Sequence, residues 1–97
     1  MKDIEIIATH KNEIITASQT IEPQGANSIW FENIGALGDA TATLDGNIPV
    51  APGNSTRDFY VNTDPRVVLK NQISMKFGAG ANKRLLVIRR YYEFKKC

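Results

Sequence analysis

The sequence predicts an all-β protein, a single antiparallel β-sandwich of Greek-key or small jelly-roll type with roughly six to eight short strands. Three observations predict it. Apolar residues recur with period two, and helical spacing is hard to find. Turn residues interrupt the pattern at short, fairly regular intervals. Two segments, Ile29-Trp30-Phe31 and Leu85-Leu86-Val87-Ile88, are apolar on both parities, as in strands covered on both sides.

Taken in order, Ile4–Ala8 and Ile14–Ala17 read as strands joined by a turn at His10-Lys11-Asn12-Glu13. Pro23-Gln24-Gly25 breaks the chain before the strand holding Trp30, and Gly35 with Gly38 breaks it after. From Asp39 to Asp45 the alternation is clean: Ala40, Ala42 and Leu44 face one way, Thr41 and Thr43 the other. Asp45-Gly46-Asn47 then suits a tight hairpin. Pro52-Gly53 suits the centre of a type II turn, where proline presets φ and glycine takes the positive φ.

Residues Thr56–Asn62 alternate again, Phe59 and Val61 against Asp58, Tyr60 and Asn62. Asp64-Pro65 is another break. Val67, Leu69, Ile73, Met75 and Phe77 keep one parity, with a bend expected at Lys70-Asn71-Gln72. Gly78–Asn82 reads as the loop of a long terminal hairpin whose second strand runs through Leu85–Ile88 into a basic arm.

The 97 residues allow one domain over 1–97 and one core. A hydrophobic share of 42% and a charged share of 23% are ordinary for a soluble globular domain. No apolar run approaches the ~20 residues of a membrane helix. The start, Met1-Lys2-Asp3-Ile4-Glu5, lacks the apolar stretch of a secretory signal. The single cysteine, Cys97, leaves stability to packing and reads as an incidental thiol, which fits a reducing compartment or one where redox state is irrelevant.

Charge is sorted along the chain. Residues 1–64 hold three basic side chains against nine acidic ones, whereas 65–97 hold nine basic side chains against Glu93 alone. The net +2 hides this dipole, which points to charged partners or to self-assembly.

The residues do not spell a reaction. His10 is the only histidine, which excludes a histidine-rich metal site, and it reads as a solvated turn residue. No segment follows a calcium loop, and Gly78, Gly80 and Lys83 match no phosphate-binding fingerprint. No catalytic residue, metal or other cofactor is therefore expected, and the chain is not read as an enzyme.

The one constellation is the basic C-terminal arm: Lys83, Arg84, Arg89, Arg90, Tyr91, Tyr92 and Phe94, closed by Lys95 and Lys96. Arginines beside aromatics can bind single-stranded nucleic acid. Against this, the aromatics fall on both parities, and cross-strand pairing with acidic N-terminal strands would satisfy the charges within the fold. Contact with another subunit is the further reading. Reversing Arg89 and Arg90 to Glu is then expected to abolish assembly while leaving the chain folded. Trp30 reads as a core anchor or, beside Tyr60 on an outer face, as a sugar-stacking platform.

The succession Ile29-Trp30-Phe31-Glu32-Asn33-Ile34-Gly35, Ala40–Gly46, Ile48-Pro49-Val50-Ala51-Pro52-Gly53 and Val87–Tyr92 resembles small β-sandwich structural proteins of tailed bacteriophages. The resemblance runs from Pro23 to Tyr92 and rests on turn chemistry over a β-scaffold. It implies a capsid auxiliary, decoration, head-fibre or connector component of a virion, made in the host cytoplasm. It carries over no catalytic residues. The partners implied are a major shell protein or further copies of the chain, in an oligomer. A carbohydrate- or nucleic-acid-binding module is the alternative function. The candidate contact residues are Trp30 and the 83–94 set above.

Overall fold

In a computed structural model the described residues of the chain form eight strands: β1 (Ile4–Ile15), β2 (Gln19–Ile21), β3 (Ser28–Asn33), β4 (Ala42–Leu44), β5 (Ile48–Val50), β6 (Ser55–Tyr60), β7 (Ile73–Phe77) and β8 (Leu85–Lys96). The structure describes residues 4–60, 66 and 68–96, with backbone alone at 4–6, 57–60 and 94–96. The described residues are all-β, in two antiparallel four-stranded sheets ordered β1-β8-β3-β6 and β2-β7-β4-β5.

The pairing is nested. β4 pairs with β5, β3 with β6, β2 with β7 and β1 with β8. The chain is thus one long hairpin folded back on itself, with lateral pairs β3/β8 and β4/β7 closing each sheet. Alternation decides which side chains meet. Ile15, Ile29, Phe31, Leu85 and Val87 from the first sheet form one buried cluster with Ile21, Leu44, Val50, Ile73 and Met75 from the second. Their partners one residue along, such as Ser74 and Lys76, are exposed, so the period-two reading holds on β7.

Local turn chemistry behaves as the residues dictate. Asp45 and Gly46 take φ of 50° and 79°, and Asn47 N–H donates to Leu44 O at 3.2 Å, closing a tight turn between β4 and β5. Asn54 N–H donates to Ala51 O across Pro52-Gly53, with Gly53 at φ 82°. The doubly apolar segments lie on β3 and β8, the two inner strands of their sheet.

Three expectations are corrected. His10-Lys11-Asn12-Glu13 is not a turn: β1 runs unbroken from Ile4 to Ile15. It is exposed on both faces from Ile7 to Ile14, so its residues need not alternate in polarity. Gly78–Asn82 is not a hairpin loop either. β7 pairs with β2 and β4 while β8 pairs with β1 and β3, so the segment crosses between the sheets. It is strapped to the 38–41 stretch by Gly78 N–H to Thr41 O (2.9 Å) and Ala40 N–H to Asn82 O (2.8 Å). Finally, β1 and β8 are not short, at 12 residues each.

The expected alternation of Phe59 and Val61 against Asp58, Tyr60 and Asn62 lies outside the described side chains. Asp64-Pro65, Val67 and Cys97 lie outside the described residues altogether.

Candidate interaction surface

β8 organises the candidate residues because its two parities face different neighbours. Its odd residues Leu85, Val87 and Arg89 lie on the core side, and the even residues Leu86, Ile88, Arg90 and Tyr92 lie on the outward face. Trp30 is the register partner of Ile88 and shares that outward face, where both are half-buried. Trp30 is therefore neither a buried core residue nor a fully open platform. Tyr60, its expected companion, pairs in register with Ile29, and its side chain lies outside the described residues.

Arg89 is 4% exposed and donates through Nη1 to Glu13 Oε1 (2.9 Å) and through Nε to Glu22 O (2.9 Å). A buried guanidinium holding two sheet edges is a structural tie. Reversing it to Glu would set a carboxylate against Glu13 and against a carbonyl, so the joint Arg89/Arg90 reversal would weaken the fold as well as any contact surface. Arg90 stays outside, donating from Nε to His10 Nε2 at 3.2 Å.

Tyr91 donates through its hydroxyl to Gln24 O at 3.1 Å, and Lys11 Nζ stands 5.6 Å from its ring centre. Tyr92 N–H donates to Asn27 Oδ1 at 2.7 Å, and its hydroxyl accepts from Arg90 Nη1 at 3.5 Å. Arg84 reaches Asp39 Oδ2 at 3.1 Å, and Lys83 beside it is exposed. Phe94 lies on β8, with its side chain outside the described residues. Part of the basic arm is thus neutralised by acids from the N-terminal half, through Arg89–Glu13 and Arg84–Asp39.

Two features escaped the sequence reading. The first is the 34–39 loop, where Leu37 is fully exposed. Asp39 ties this loop together: its carboxylate accepts Ala36 N–H (2.8 Å), Asn82 Nδ2 (3.0 Å) and Arg84 Nη2 (3.1 Å). These bonds favour the charged form and keep its carboxyl below the ordinary value. Ala36 N–H and Asn82 contribute most, Arg84 less, and desolvation opposes them. An apolar residue set among glycines and alanines, Ala36-Leu37-Gly38, was the available signal.

The second is the ribbon. β3 pairs with β8 only from Leu85 to Arg90, whereas β1 follows β8 from Leu85 to Lys96. Among the described residues the outer part of β1/β8 therefore extends past the two sheets as a two-stranded arm, in a molecule 56 Å long and 23 Å wide. The Leu37 loop, beside the Asn33/Leu85 pair, lies at the opposite end of β8.

Among the described residues no group of three His, Cys, Asp or Glu side chains could hold a metal ion, and no helix is long and apolar enough to cross a membrane. An open groove of about 450 Å³ lies over Thr43, Asp45, Ser74 and Lys76, on the outward face of the second sheet. No protein-family model, curated protein or solved structure matches the chain.

Proposed function

We propose that the chain is a non-enzymatic structural component of a phage-like virion, acting through protein–protein contacts as a capsid auxiliary, decoration, head-fibre or connector part. In this reading the two sheets are the layers of one jelly-roll sandwich. The carrying observation is the nested pairing β1/β8, β2/β7, β3/β6, β4/β5, which suits a hairpin rolled into two layers. Capsid and lectin domains use that architecture. The single core cluster fed by both sheets supports the layering. The projecting arm and the Leu37 loop tied by Asp39 suit docking onto other chains, since both present contact residues without disturbing the core.

The test is particle occupancy. Particles of the encoding phage, purified and probed with an antibody to this chain, should carry it at a fixed ratio to the shell protein. Leu37→Asp should leave the chain folded and lower that ratio several-fold. Particles free of the chain overturn the proposal. Quenching of Trp30 fluorescence by oligosaccharide, with no particle occupancy, favours the carbohydrate-binding alternative instead.

A further inference from the structure

Among the described residues four strands bound the two sheets, and three of them carry protection against pairing with another chain. β2 is three residues long, β5 is three residues with Pro49 at its centre, and β6 meets β3 through a register shift between Ile29 and Phe31. β1 carries none of these. It is 12 residues long, holds no proline, glycine or register break, and is exposed at every residue from Ile7 to Ile14.

Its outward groups follow from the ladder. Arg90 O accepts Asn27 N–H, and Tyr92 N–H donates to Asn27 Oδ1, so even residues of β8 aim their backbone groups toward β3. In an antiparallel pair the N–H and C=O of one residue point the same way. The odd residues of β8 therefore bond β1, and their register partners are the odd residues of β1, from Glu5 to Ile15. The backbone groups of Ile4, Ile6, Ala8, His10, Asn12 and Ile14 point off the sheet. The charged side chains of the strand, Glu5, Lys11 and Glu13, all belong to the other parity.

The same strand forms the arm, and a two-stranded ribbon alone is marginally stable in water. We propose that β1 pairs antiparallel with β1 of a second copy, about a two-fold axis at Ala8. Charge selects this register. Centring the axis on Thr9 sets Glu5 against Glu13, and centring it on Lys11 or Glu13 sets a like pair on the axis itself. Centring on Asn12 sets Lys11 against Glu13, which already holds Arg89, and leaves the arm unpaired. Centring on Ala8 sets Glu5 against Lys11 twice, pairs Ile4 through Asn12, and turns two ribbons into one four-stranded sheet. The pairing deepens only the self-association half of the virion reading.

Sedimentation of the full chain should show a dimer at micromolar concentration. Lys11→Glu should raise its dissociation constant about tenfold, and adding Glu5→Lys should restore it. With Cys97→Ser, Ala8→Cys should oxidise to a covalent dimer, because the Cα spacing of a hydrogen-bonded pair, ~5.5 Å, suits a disulfide. A monomer at every concentration overturns the proposal. So does cross-linking of Asn12→Cys in place of Ala8→Cys, or a charge swap that fails to restore the dimer. A monomer that still occupies particles removes this pairing and leaves the virion reading standing; a dimer absent from particles does the reverse.

Discussion

Arg89 and Glu13 meet at 2.9 Å across the β8/β1 pair, although the residue directly opposite Arg89 is Lys11. Like charges facing each other across a ladder destabilise it, and here both swing onto diagonals. Arg89 turns to Glu13, and Lys11 leans over Tyr91. Burial makes the two unequal, since Arg89 is 4% exposed and Lys11 is open. In urea unfolding, Arg89→Ala should cost about 2–4 kcal/mol. Lys11→Ala should stay within about 0.5 kcal/mol. Equal effects would mean that the tie to Glu13 and Glu22 is not what holds this edge.

Asn33 joins the two sheets. Its Nδ2 donates to Ala40 O and Val50 O, both at 2.9 Å, and its Oδ1 accepts Gly35 N–H at 2.9 Å, all in a buried site. Asn33→Asp replaces two donors with a carboxylate facing two carbonyls, and should cost about 2–4 kcal/mol at neutral pH. Lowering the pH should return part of this loss, because a protonated carboxyl donates one hydrogen bond again. Unfolding curves of the variant at pH 4 and pH 7 measure it.

Asp39 makes the 34–39 loop sensitive to acid. Its folded-state pKa lies below the ordinary carboxylate value, held there first by Ala36 N–H and next by Asn82, with Arg84 adding less. A depressed pKa contributes stability above the unfolded-state value, and that contribution fades as pH falls through the folded-state value. Wild-type stability should therefore drop below about pH 4, and Asp39→Asn should flatten that part of the profile. Thermal unfolding of both proteins across pH 2–6 checks the sign.

Gly80 is required by contact. A Cβ there would lie 2.3 Å from Ala40 N and 2.5 Å from Ala40 Cα, both backbone atoms. Gly80→Ala must push the 78–82 crossover off the 38–41 strap, at a cost of about 1–3 kcal/mol. Loss of protection at the Ala40 and Gly78 amides in hydrogen exchange should accompany it, since both bond across that seam.

What could be read from sequence follows the range of the interaction. Asp45-Gly46 and Pro52-Gly53 set their turns through their own φ preferences, and Ala42, Leu44, Ile73 and Met75 declared their faces by alternation. The 10–13 segment misled because an edge strand exposed on both faces carries no alternation to read. Gly78–Asn82 misled because a glycine-rich loop looks alike whether it returns to the same sheet or crosses to the other. Within the candidate surface, arginines beside aromatics drew attention to β8. They did not reveal that Arg89 turns inward while Arg90 stays out.

By itself the sequence determined the all-β class, the local turns and the inward parity of the core strands, since each depends on residues within a few positions of one another. Tertiary structure alone decided the nested strand order, the unguarded edge of β1 and the burial of Arg89. These depend on which distant strand becomes a neighbour, and one strand's period-two pattern is satisfied equally well by many partners.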